Sequence, residues 1–261
     1  MKLIPLTTKV DGVVLRGTIH APEHAPHPTP GAVLFHGFGG NRIDFSGFMV
    51  QVARGLVERG CTVVTYDRAG HGESDGEFFD TSVTRDIRHA HAVLADVAAL
   101  PQVDAAAGLH LGGLSLGAVI AACVAAESPL PIASLSLWSN AAVFVDEIRG
   151  GTIQGRSLQT LDTVGYFDFL GMRMGRAMVD DAASFDPYGR AAEYGGPALV
   201  MHGTSDFVPV EYARRYAELW GDQADLRIVE DADHGWATVP HRELLVETTA
   251  SFVSAHAQAV R

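Results

Sequence analysis

Gly113-Leu114-Ser115-Leu116-Gly117 lies between an apolar run, Leu109 to Leu114, and an alanine-rich run, Ser115 to Ala126. The first reads as a strand and the second as a helix, which makes the pentapeptide a strand-to-helix turn. A turn this tight forces its central residue into a strained backbone conformation, and flanking glycines relieve the collisions that side chains would make there. The Ser115 hydroxyl then stands at the amino end of a helix, whose dipole favours developing negative charge. A serine at a helix start is often only a cap for the first turn, but the strand–turn–helix setting favours a nucleophile. An alcohol needs a base to take its proton, and the base needs an acid to orient it. The chemistry expected is acyl transfer.

Twelve histidines compete for the role of base. His234, in Asp231-Ala232-Asp233-His234-Gly235-Trp236, falls after the last expected strand and before the final helix. Asp206, in His202-Gly203-Thr204-Ser205-Asp206-Phe207, falls after the preceding strand. Ser115, Asp206 and His234 therefore each follow a different strand, and in a parallel sheet such loops converge at one edge. For Asp206 the alternative is an Asx turn or a cap ahead of Val210. Asp231 and Asp233 read as turn and solvent residues. His36, His71 and His202 are expected to orient backbone, and His24, His27, His89, His91 and His256 to lie on the surface.

A tetrahedral intermediate carries negative charge on the former carbonyl oxygen and needs preset donors. The backbone N–H of Leu116, next after the nucleophile, is one candidate. The other is the N–H of Phe38, in His36-Gly37-Phe38-Gly39-Gly40, where glycines let a substrate approach the main chain. A glycine-rich loop can instead cradle phosphate, but neither G-x-x-x-x-G-K-[ST] nor G-x-G-x-x-G is present here.

Together with Tyr66-Asp67-Arg68-Ala69-Gly70-His71-Gly72-Glu73-Ser74, these pieces resemble the α/β-hydrolase family over nearly the whole chain, from about Val13 to Val253. Within it the chain resembles the short-lid esterases of the cinnamoyl/feruloyl esterase and serine-aminopeptidase-like group. The resemblance implies the triad order Ser115, Asp206, His234, a pocket under a lid, and neither a metal nor an organic cofactor. Cinnamoyl esterases of this type bind the phenolic end of their substrate through polar lid residues. By position Asp146 and Gln154 match them, against the alternative of solvent-facing loop residues. Trp236 is assigned to substrate binding, near a pocket that Phe38, Phe144, Phe167 and Phe169 would also line. The alternative for all five is the core, where such residues are most often buried. Haloalkane dehalogenases share the fold but use an aspartate nucleophile, which Ser115 disfavours.

The elements that must position these residues alternate. Eight β-prone runs are expected, Leu3 to Val10, Val13 to His20, Ala32 to Phe35, Thr62 to Tyr66, Leu109 to Leu114, Ile132 to Trp138, Ala198 to His202 and Leu226 to Val229. The first two flank Asp11-Gly12, a hairpin signal. Helical patterns cover Phe45 to Arg59, Ser82 to Leu100, Val210 to Trp220 and Pro240 to Ala257. The fold class expected is α/β, an α/β-hydrolase fold with a mostly parallel eight-stranded sheet flanked by helices, in one domain spanning residues 1–261. Ser139 to Gly196 breaks the alternation and reads as a small lid insertion.

Composition narrows the partners. Lys and Arg number 19 against 31 Asp and Glu, a net charge of −12, which disfavours nucleic acid and anionic lipid. The partner expected is a small-molecule ester, with no nucleic acid and no membrane, and a homodimer is left open. Cys61 and Cys123 sit in apolar runs and read as core thiols. The amino-terminal stretch is too short and too polar for a signal sequence, and a cytoplasmic, reducing location is expected. The function expected is a serine carboxylic-ester hydrolase acting on a small aromatic or medium-chain ester, feruloyl or cinnamoyl esters included. The alternatives are a peptidase, thioesterase or carbon–carbon bond hydrolase of the same fold, or a non-catalytic small-molecule binding protein.

Overall fold

Asp11 and Gly12 both take positive φ, 50° and 79°, the backbone of a two-residue hairpin turn. They join β1 (Lys2–Val10) to β2 (Val13–Ala21) in antiparallel register, from Val10↔Val13 to Lys2↔Ala21. The structure is a computed structural model that describes residues 1–25 and 28–257, so His27 lies outside the described residues. The remaining strands of the main sheet are β3 (Gly31–Phe35), β4 (Thr62–Tyr66), β5 (Leu109–Leu114), β6 (Ile132–Trp138), β7 (Ala198–Gly203) and β8 (Ala224–Val229). Their spatial order in this eight-stranded sheet is β1-β2-β4-β3-β5-β6-β7-β8. β2 meets β4 antiparallel, and every pairing from β4 to β8 is parallel.

β3, β4, β5 and β7 are buried along their whole length, as continuous apolar runs covered on both faces should be. On one face α1 (Phe48–Glu58) and α7 (Val239–His256) enclose a core with Leu34, Val63, Trp138 and Met201. On the other, α2 (Val83–Ala98), α3 (Leu116–Glu127) and α6 (Glu211–Trp220) pack over Val33, Leu111, Leu135 and Val200. α3 is apolar all round, and every residue from Leu116 to Ala125 is buried, the pattern of a helix at the centre of a fold. That burial fixes the position of the turn that starts it. Cys61 and Cys123 are free and buried.

Two local expectations fail for physical reasons. The helical pattern from Phe45 does not begin as α-helix, because Asp44, Ser46 and Gly47 hold φ of 59°, 51° and 71° and confine Phe45–Gly47 to one kinked 3-10 turn before α1. His89 is not a surface residue. At 2% exposure it lies beneath the first hairpin, with Nε2 3.2 Å from the Asp11 carboxylate.

Between β6 and β7 the 139–196 segment folds as α4 (Val143–Arg149), a short ribbon (Thr152–Ile153 with Arg156–Ser157), a hairpin (Phe167–Phe169 with Met172–Met174) and α5 (Arg176–Ser184). The hairpin closes onto the glycine-rich loop after β3. A Cβ on Gly39 would stand 2.7 Å from the Phe169 ring.

Candidate active site

Ser115 has φ 59° and ψ −123°, between β5 and α3, a conformation that persists only where the surroundings impose it. Its N–H donates to Trp138 O at 3.0 Å, and its carbonyl accepts from Ala118 and Ala141 at 3.0 and 3.2 Å. The flanking glycines are there for space. A Cβ on Gly113 would stand 2.3 Å from Gly117 O, and one on Gly117 would stand 2.1 Å from Phe35 O.

His234 Nε2 lies 2.9 Å from Ser115 Oγ, and Nδ1 lies 2.8 Å from Asp206 Oδ1. An ionised carboxylate only accepts, so Nδ1–H donates to Asp206 and leaves Nε2 to accept the serine proton. The Asp206 side chain is fully buried. Burial alone would raise its carboxyl, but the His234 hydrogen bond and charge, with the Val208 N–H at 2.8 Å, outweigh that and hold it below the usual value. His202, buried beside it, donates from Nε2 to Val208 O at 2.8 Å, so it shapes the Asp206 loop as expected of a backbone-orienting histidine. Phe207 packs against the His234 ring, with centroids 4.2 Å apart and planes tilted by 41°.

The His234 loop is clamped from behind. Arg242 donates to Gly235 O at 2.7 Å and to Trp236 O at 3.1 Å, and Asp233 accepts from the Ala237 N–H at 2.8 Å. Trp236 corrects an expectation. It is fully buried in the α1/α7 core and donates from Nε1 to Ser139 Oγ at 3.1 Å, so it anchors the loop and does not line the cleft.

An apolar cleft, open to solvent at its mouth, runs from Ser115 under the 139–196 segment. Its walls include Phe38, Leu116, Phe144, Ile148, Phe169, Met178 and Phe207. Phe167, expected there, is buried in the core instead. Leu116 is the first residue of α3, whose leading N–H groups have no partner within the helix. Phe38 N–H belongs to the loop that faces it, where the Cβ position of Gly37 is 3.3 Å from Ser115 Cβ.

Of the polar residues expected in the cleft, Gln154 lines it and Asp146 does not. Asp146 is turned outward and accepts from Tyr212 Oη at 2.7 Å. Glu147 takes its place on the wall and accepts from the Gln154 N–H at 2.9 Å. The signal was present in α4. Val143, Phe144, Glu147 and Ile148 share one face at helical spacing, and Asp146 falls off it. Among the described residues, no group of three His, Cys, Asp or Glu side chains is arranged to hold a metal ion. No helix among them is long and apolar enough to cross a membrane.

The chain matches the model of the alpha/beta hydrolase family over residues 32–248 and belongs to that family. It is 34% identical over 121 residues to human monoglyceride lipase, a match that spans 44% of this chain and 36% of that one. It resembles the structure of Est1E from Butyrivibrio proteoclasticus with ferulic acid bound, at TM-score 0.87 and 24% identity, covering 96% of this chain and 98% of that one. It also resembles the alpha/beta hydrolase GrgF from Penicillium sp. sh18, at TM-score 0.77 and 18% identity, covering 98% and 99%.

Proposed function

We propose that the chain is a serine carboxylic-ester hydrolase that works through an acyl-enzyme. The carrying observation is the continuous relay from Ser115 Oγ through His234 to Asp206, opening on an apolar cleft. His234 takes the Ser115 proton as Oγ attacks the ester carbonyl. The N–H groups of Leu116 and Phe38 receive the charge on the carbonyl oxygen. Collapse of the intermediate breaks the bond to the alcohol, which leaves with the proton held by His234. Water then gives a proton to His234 and attacks the acyl-enzyme, releasing the acid and restoring the serine. Asp206 holds the imidazole tautomer throughout and stabilises the imidazolium.

In this reading the 139–196 segment is a lid that sets substrate choice. The cleft's aromatic and aliphatic walls favour an aromatic or medium-chain acyl group, and the ferulic acid bound to Est1E supports the aromatic choice. Glu147 and Gln154 supply polar atoms on the wall, suited to a substrate that carries a hydroxyl. A fluorophosphonate probe tests the nucleophile and should label wild type but not Ser115→Ala. A panel of p-nitrophenyl esters, feruloyl esters, acyl-CoAs and aminoacyl amides tests the bond class, with the oxygen esters expected to turn over fastest. Absence of labelling, or preference for thioesters or amides, would overturn the assignment.

A further inference from the structure

We infer that Arg68, seated on Asp86, is a positioning residue for the Phe38 N–H, an inference that rests on the acyl-transfer reading above. Gly37 C=O and Phe38 N–H belong to one peptide unit. Because that unit is planar and trans, its oxygen and hydrogen point in opposite directions. Whatever holds the oxygen therefore aims the hydrogen. Gly37 O accepts from three donors: His36 Nδ1–H at 2.8 Å, Arg68 Nη2–H at 2.6 Å and Gly40 N–H at 3.2 Å. On the Gly37 N–H side, Asp44 Oδ2 accepts at 3.4 Å.

Arg68 organises this cluster from two of its ends. Its backbone N–H donates to His36 Nε2 at 3.1 Å, which leaves Nδ1 as the nitrogen that carries hydrogen. Burial, reinforced by the Arg68 charge, holds His36 well below its ordinary value, so the ring is neutral and has one hydrogen to give. At the side chain, Arg68 Nη1 donates to Asp86 Oδ2 at 2.5 Å while Nη2 takes the Gly37 carbonyl. Neither charged side chain is more than 1% exposed.

A buried ion pair is commonly no more stabilising than apolar side chains of the same volume. Its presence directly behind this one loop therefore calls for a local reason. A charge-assisted hydrogen bond to Gly37 O polarises the peptide as well as orienting it, which makes Phe38 N–H a stronger donor toward a developing oxyanion. The pair is directed, with guanidinium toward the loop and carboxylate away from it on α2.

The test is the double variant Arg68→Met/Asp86→Leu, which removes both charges together and so leaves no orphaned ion to unfold the chain. Losing the aim of one oxyanion donor should lower kcat by about 10- to 100-fold, less than outright loss of such a donor. KM should stay within about threefold, since ground-state binding does not use the donor. Affinity for a trifluoromethyl ketone, whose hemiketal oxygen needs the same N–H, should fall by the same factor as kcat, while the parent methyl ketone should bind as before. Arg68→Lys keeps a charge beside Asp86 but cannot hold both acceptors at once, so it should fall between wild type and the double variant on both readouts. A role confined to stability would lower the melting temperature without separating the two ketones, and that result overturns the inference. So does a folded double variant with wild-type kcat. A wild-type chain that neither hydrolyses esters nor takes the fluorophosphonate overturns the acyl-transfer reading itself, and the inference with it.

Discussion

Ser115, Asp206 and His234 stand on turns at the edge of the main sheet, gripped by main-chain hydrogen bonds and buried side chains, whereas the 139–196 segment is assembled from short helices and strands of two or three residues. The serine turn is closed by Trp138 O and by glycines with no room for a Cβ, and the histidine loop by Arg242 and Trp236. Across the cleft, the ribbon Thr152–Ile153 with Arg156–Ser157 has two residues per strand, and the Phe167–Met174 hairpin carries Leu170 at its tip, 81% exposed. In the proposed mechanism Ser115, His234 and Asp206 move protons and must be held to a fraction of an ångström, which the sheet edge provides. In the same proposal the 139–196 segment only chooses the substrate. Changes at the edge should therefore abolish turnover and leave selectivity meaningless, while changes in the segment should alter selectivity and spare the reaction.

The largest effect expected is from Ser115→Ala, a loss of about 10⁴–10⁶ in kcat with the fold intact, measured on a p-nitrophenyl ester beside a thermal melt. A soluble variant that keeps more than about a tenth of wild-type turnover would remove Ser115 from the mechanism. Asp206→Asn comes next, at about 10⁴-fold in kcat near neutral pH, because an amide in place of the carboxylate permits the wrong imidazole tautomer. The same substitution should leave the ranking of esters unchanged, and a shift in that ranking would show that the sheet edge also selects.

This division also explains how much could be read from the chain. β3, β4 and β5 are apolar runs with clear stops, and parallel pairing brings the loops after them to one edge. Ser115, Asp206 and His234 were legible because each follows its own strand. What escaped was whatever depends on packing between distant segments. Trp236 adjoins His234 at the cleft in sequence but turns into the core at φ 53°. Arg68 and Asp86 are separated along the chain, and charged residues carry no mark of burial until the fold joins them. Asp146 is a different case, because the helical period of α4 turns it outward and brings its neighbour Glu147 to the cleft.

Acid should weaken the sheet more than the segment. Burial, with the charge of Arg54, pushes His20 down to about 4, and burial, with His256, does the same to His110, both from an ordinary value of 6.5. Between those values the unfolded chain binds more protons than the folded one, so stability is lost as pH falls from about 6.5 toward 4. Each histidine contributes at most about 1.4 kcal/mol per pH unit within that window. The 139–196 segment contains no histidine, so the loss should originate in the sheet. Urea midpoints measured from pH 7 to pH 4 should decline, and His110→Gln, which keeps a polar group beside Ser134 Oγ, should make the decline shallower. A midpoint that does not move across this range would show that these rings reach protons without unfolding.

The smallest and sharpest test lies within α4, where neighbouring acids face opposite ways. Glu147 is on the cleft wall, and Asp146 points outward to Tyr212 Oη. If the wall selects, Glu147→Gln should lower kcat/KM for hydroxycinnamoyl esters by about 10-fold relative to unsubstituted cinnamoyl esters. A carboxylate bonds a hydroxyl more strongly than an amide does, and loss of such a contact is typically worth 1–3 kcal/mol. Gln retains an acceptor for the Gln154 N–H, so the ribbon should keep its place. Asp146→Ala should leave the same ratio within about twofold, since an exposed hydrogen bond of this kind is worth little. Two outcomes would count against this account. A shift in the ratio from Asp146 and none from Glu147 would mean that α4 turns when substrate binds. No shift from either would leave the cleft selective by shape alone, with the hydroxyl of the substrate facing water.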